Sequence, residues 1–171
     1  MIGWAIEAML LNNENGKKHL ESMDLDYFVE AYGYHTGEEL LPVKASEHPD
    51  FKCQRADGSI ISVELTKVMR DPADTATDVI DKIYERLEKK KGLASERTIL
   101  VLQCFSCLLS EHRYFLDESL MDNFDSYGFE EIWLADYTGI EAYGDIELFC
   151  LCPKERWGYY QRPFPERKPY G

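Results

Sequence analysis

Apolar positions recur at helical intervals twice near the start of the chain. Trp4, Ala8 and Leu11 do so over 1–12, and Leu20, Leu25, Phe28 and Val29 over 17–32, with Asn13-Glu14-Asn15-Gly16 as a breaker between them. The pattern predicts two helices. From Gly33 to Pro49 the chain is polar, with Glu38-Glu39 in its middle and Gly37, Pro42 and Pro49 as punctuation, and reads as a connector. The next stretch, HPDFKCQRADGSIISVELTKV, alternates apolar and polar positions on both sides of Ala56-Asp57-Gly58, which is the pattern of a β-hairpin. A three-residue loop closing on a left-handed Gly58 sets Arg55 opposite Ser59 and therefore Asp50 opposite Glu64. One face then carries Asp50, Lys52, Ser62, Glu64 and Thr66, and the other carries Phe51, Cys53, Ile61, Val63 and Leu65.

Beyond Asp71-Pro72, the segment Asp74–Lys91 sets Val79, Ile80, Ile83 and Leu87 at helical spacing, with acids early, lysines late and Gly92 as a stop. Arg97–Leu109 opens as a continuous β-branched apolar run, as expected of a central strand buried on both faces. Residues 111–126 predict a helix, Phe129–Tyr137 a strand, and Asp145–Pro153 a last strand. The order α-α-β-β-α-β-α-β-β predicts an α/β fold, a mixed central sheet flanked by helices, in one domain over 1–171. Residues 155–171 are expected to form an extended tail packed on that domain.

Composition narrows the function classes. The chain has 171 residues, 44% hydrophobic and 13% aromatic, enough for a sizeable core in one domain. No apolar run reaches the roughly 18 residues of a membrane helix, and Glu7 interrupts the stretch where a signal peptide would be apolar. Five cysteines, mostly within apolar runs, fit reduced thiols, and together these features predict a cytoplasmic protein. The net charge of −13 opposes nucleic-acid binding, which draws its affinity from neutralised phosphates. Two local basic patches stand against that balance: Lys82, Arg86 and Lys89–Lys91, and Lys154, Arg156, Arg162, Arg167 and Lys168.

Two carboxylates directly across a hairpin repel, and burial raises the cost, so Asp50 and Glu64 call for a compensating cation. Mg²⁺ or Mn²⁺ takes one or two carboxylates, keeps several waters and leaves room for phosphate oxygens, which suits phosphodiester hydrolysis by a metal-activated water. "HPDF" with Asp50, the hairpin, and "SVELT" with Glu64 resemble the motif of the PD-(D/E)xK nuclease superfamily, in particular its small bacterial and phage members. The likeness covers roughly Glu38 to Cys104, with a further resemblance at the terminal Lys168-Pro169-Tyr170-Gly171. It implies a restriction-endonuclease-like fold, Asp50 and Glu64 as metal ligands, and a lysine two residues after Glu64 that assists the reaction. This chain departs there, because position 66 is Thr66 and Lys67 points to the other face of the strand. Lys82 in the following helix resembles a migrated lysine and completes the expected catalytic set of Asp50, Glu64 and Lys82. Lys67 serves only if a bulge rotates it. Glu38 or Glu39 is a further candidate acid.

Other constellations rank lower. Cys104-x-x-Cys107 and Cys150-x-Cys152 hold four thiols, but inside apolar strands rather than the tight knuckles of a zinc site, and read as core cysteines. The four histidines show no paired ligand spacing. The tail mixes Arg and Lys with Trp157, Tyr159 and Tyr160, a composition found in single-strand platforms but read here in favour of a tail packed across the sheet with its charges snorkelling out. Two functions remain: a nuclease acting on nucleic acid, and a non-catalytic acidic binding module, inhibitor or immunity-type, steered by its charge to a basic protein partner.

Overall fold

A computed structural model describes residues 14–43, 51–68, 75–105, 124–140 and 144–163. Helix α1, Glu14–Thr36, is followed by β1 (Leu40–Pro42), β2 (Phe51–Arg55), β3 (Ile60–Val68), α2 (Ala76–Lys90), β4 (Thr98–Cys104), β5 (Glu131–Asp136), β6 (Glu147–Cys152) and β7 (Gly158–Tyr160). The seven strands form one sheet in which spatial order equals chain order. Strands β3, β4 and β5 are parallel and the outer pairings are antiparallel, so the sheet is mixed and the fold α/β. No helix among the described residues is long and apolar enough to cross a membrane.

Each element has a local cause. The loop Ala56-Asp57-Gly58 closes β2 onto β3 as expected: the Arg55 amide donates to the Ser59 carbonyl at 2.9 Å, and Gly58 takes φ +86°, open to glycine and strained for other residues. Asp57 Oδ1 fixes the far side by accepting from the Ser59 amide at 2.8 Å. Helix α2 starts at a capping box in which Thr75 Oγ1 accepts from the Asp78 amide and Asp78 accepts from the Thr75 amide at 2.8 Å. Every residue of β4 is buried, as its unbroken apolar run requires.

The two sheet faces carry separate cores. Val79, Ile80, Ile83 and Leu87 of α2 pack on Leu100, Leu102, Ile132, Leu134 and Phe149. Leu25, Phe28, Ala31 and Tyr32 of α1 pack on Val63, Ile99, Val101, Trp133 and Leu148. The sheet is therefore flanked by a helix on each face. Against expectation, the connector after Gly33 contains β1, and β6 is not the last strand, because the tail supplies β7. Helix α1 also runs through the expected breaker, taking in Glu14, Asn15 and Gly16. The helix expected over 1–12 lies outside the described residues, as does the one over 111–126 apart from its end. There, Phe124–Tyr127 form a 3₁₀ turn.

Candidate functional site

Alternation along β3 turns Glu64, Thr66 and Val68 toward α2, and Ile61 and Val63 toward α1. The Glu64 side chain is only 4% exposed, and the Lys90 ammonium, from the last turn of α2, meets its Oε1 at 2.7 Å. An acid in the middle of an apolar strand thus finds its cation from the helix that follows the strand. Thr66 lies buried beside it on the same face.

The other expected residues fall as follows. Lys82 stands on α2 about 12 Å before Lys90 at 1.5 Å per residue, and the ion pair of Glu64 is made by Lys90. Lys67 keeps the far face: β3 pairs with β4 without interruption from Ser62 to Val68, so no bulge rotates it, and its Nζ lies 5.2 Å from the Phe105 ring centre. The hairpin pairs Phe51 with Val63, Lys52 with Ser62 and Cys53 with Ile61, which is the expected register. Asp50 itself lies outside the described residues. Lys52 donates to Ser62 Oγ at 2.5 Å. Glu38 is drawn to the opposite face, where Tyr32, Arg55 and Arg156 bind it, and Glu39 is exposed. Among the described residues, no group of three or more His, Cys, Asp or Glu converges as a metal cage.

The binding partners of Glu38 form a polar network that sequence reasoning missed. Glu131, at the start of β5 and 5% exposed at its side chain, accepts from Tyr32 Oη at 2.8 Å and Trp133 Nε1 at 3.2 Å. Arg156 reaches it at 3.2 Å and Arg55 at 3.4 Å, and Arg55 also pairs with Glu130 at 3.1 Å. Burial pushes the Glu131 carboxyl above its ordinary range, against the Tyr32 hydrogen bond and the Arg156 charge. Burial also acts to raise Glu38, but Arg156 and Tyr32 hold it below the ordinary value. The network ties α1, β2, β5 and the turn before β7 together. Its donors and acceptors answer one another, which suits a clamp better than a ligand site.

A second surprise concerns opposed carboxylates. Asp136 and Glu147 lie directly across β5 and β6, both buried. Glu147 accepts from Tyr159 Oη and, at 2.8 Å, from Gln161 Nε2, while Asp136 accepts from the Thr138 amide at 2.8 Å. Protein donors meet these acids, and they come from the turn after β5 and from the tail. The described cysteines, Cys53, Cys104, Cys150 and Cys152, are buried thiols outside any disulfide, and burial raises Cys53 to about 11 and Cys152 to about 12, as inert core cysteines require. Cys107 lies outside the described residues. No protein-family model, curated protein or solved structure matches this chain.

Proposed function

We propose that the chain is a metal-dependent nuclease-like protein that hydrolyses phosphodiester bonds, with Asp50 and Glu64 as the carboxylates for Mg²⁺ or Mn²⁺ and a lysine of α2 beside the scissile phosphate. The observation that carries this reading is the 2.7 Å contact of Lys90 with Glu64. An acid in the second strand of the hairpin and a lysine from the next helix share one face, the relation the PD-(D/E)xK resemblance implies once the lysine has moved from strand to helix. A mixed sheet with a helix on each face agrees with a restriction-endonuclease-like arrangement. The carboxylate of Glu64 and hydroxyl of Thr66 are hard oxygen donors, the type that Mg²⁺ prefers. A bound divalent ion supplies Lewis acidity and an activated water.

Within this reading β3 fixes Glu64, and α2 brings Lys90 to it. Lys90 neutralises Glu64 at rest and, 27% exposed at its side chain, has room to turn its ammonium toward a phosphate oxygen. Lys90 takes the role expected of Lys82, which remains a second cation on the same helix. The test is calorimetry with millimolar Mg²⁺ and Mn²⁺ together with cleavage of labelled single- and double-stranded oligonucleotides. Wild type should bind and cleave, Glu64→Gln should lose both, and Lys90→Met should bind but not cleave.

The same ion pair favours a second reading. Lys90 already answers the charge of Glu64, and the chain carries −13, so a non-catalytic acidic module for a basic protein partner asks nothing more of β3. Absence of both divalent binding and cleavage would overturn the nuclease reading in favour of this one.

A further inference from the structure

The end of the described chain is fastened to α1 around a histidine. Arg162, just after β7, hydrogen-bonds Glu30, sets its guanidinium 4.3 Å from the centre of the Tyr34 ring, and comes within 3.7 Å of the buried carboxylate of Asp145. His35, one residue on along α1, lies edge-on to Tyr34 at 5.0 Å and 5.7 Å from the Tyr160 ring of β7. Tyr160 in turn packs on Trp133 at 5.6 Å and donates to the Arg156 carbonyl at 2.7 Å. His35 Nε2 is buried and has no hydrogen-bond partner among the described residues.

A neutral imidazole tolerates that position by keeping its proton on Nδ1 and leaving a bare lone pair at Nε2. An imidazolium fits poorly, because it must place an N–H there with no acceptor among the described residues and a second cation close to Arg162. We infer that His35 is a proton-sensitive latch for the strap formed by residues 158–163, which closes on α1 when the imidazole is neutral and is released when it is protonated.

The groups facing His35 are Glu30 and Tyr34 from α1 and Tyr160 and Arg162 from the strap, with Asp145 acting through Arg162. Glu30 favours the imidazolium, but burial and Arg162 outweigh it and hold the group below its ordinary value. A released strap leaves His35 to take up a proton near the usual pH of about 6.5, which the closed form resists. Closure is therefore fully favoured above that pH and weakens as pH falls through the window down to the lowered value. Release would withdraw Arg162 from the wall of a 390 Å³ groove that it shares with Met23, Asp26 and Tyr27. It would also strip Tyr160 from Trp133.

The experiment is amide hydrogen exchange on the full chain at pH 7.5, 6.5 and 5.5, expressed as protection factors so that the intrinsic pH dependence cancels. Protection of 158–163 should fall by up to about tenfold per pH unit inside the window, while amides of β4 stay unchanged. His35→Phe keeps the ring and removes the proton, so protection in the strap should become independent of pH. Arg162→Met should leave the strap open at all three values. His35→Gln replaces the phenylalanine variant if that one fails to fold. Flat protection in wild type, an unchanged pH response in the His35 variant, or an equal loss in β4 would each overturn the latch.

Discussion

Glu64 and Lys90 show how a buried charge is met by a cation from the following helix and why the two halves of the pair are not equivalent. Glu64 is sealed under α2, whereas Lys90 retains contact with water through its side chain. Lys90→Met therefore takes the cation at 2.7 Å away from a buried carboxylate and should cost about 3 kcal/mol. Glu64→Gln leaves an ammonium that can swing to solvent and should cost clearly less. Urea denaturation of both variants decides this, and equal losses would mean that Glu64 is better hydrated than its burial indicates. Gly58 poses a simpler question at the same scale. Its φ of +86° penalises any β-branched residue, so Gly58→Val should destabilise the fold by roughly 1 kcal/mol or more. An unchanged midpoint would mean the loop relaxes to another turn.

Among the elements, those with local causes were legible in the sequence. The hairpin follows from alternation on either side of an Ala-Asp-Gly turn, α2 from four apolar residues on one stripe, and β4 from an unbroken β-branched run. What failed lacked a local signal. Strand β1 is only Leu40-Leu41-Pro42, too short to display a period, and its proline marks it as an edge. The expected breaker is overridden: Glu14, Asn15 and Gly16 lie inside α1, and Gly16 is buried there. The acid at Glu64 could be read as buried, but its partner could not. Lys82 and Lys90 lie on one helix, and only how α2 settles on β3 selects between them. The capping box of α2 offers a test that involves no partner element. Thr75→Ala removes the acceptor for the Asp78 amide and should cost about 1 kcal/mol, seen as a lower denaturation midpoint with an unchanged slope. A changed slope would show instead that the helix is lost from the cooperative unit.

Over the whole molecule, charge is the organising problem, because a chain of −13 must still bury several acids. Lys90 answers Glu64, neutral donors answer Asp136 and Glu147, and arginines from distant parts of the sequence answer Glu131. Arg55 from the hairpin and Arg156 from beyond β6 converge on Glu38 and Glu131, a pairing across more than a hundred residues that no spacing rule reveals. Arg156→Met tests how much of the assembly rests on that convergence. Glu131 is buried and already titrates above its ordinary range, so losing a cation at 3.2 Å should raise it further and destabilise the fold by about 3 kcal/mol near pH 7.5. The direction with pH follows from proton uptake. Folded Glu131 in the variant would hold its proton at a pH where the unfolded carboxylate has released it, so the folded state binds more protons and loses stability as pH rises through that window. The deficit relative to wild type should therefore shrink on acidification from pH 7.5 toward 5. Comparing the two proteins at each pH cancels any contribution from the His35 latch, which both retain. A deficit that stays constant over that range would mean that Arg156 acts through the packing of its stem on the sheet rather than through the charge of Glu131.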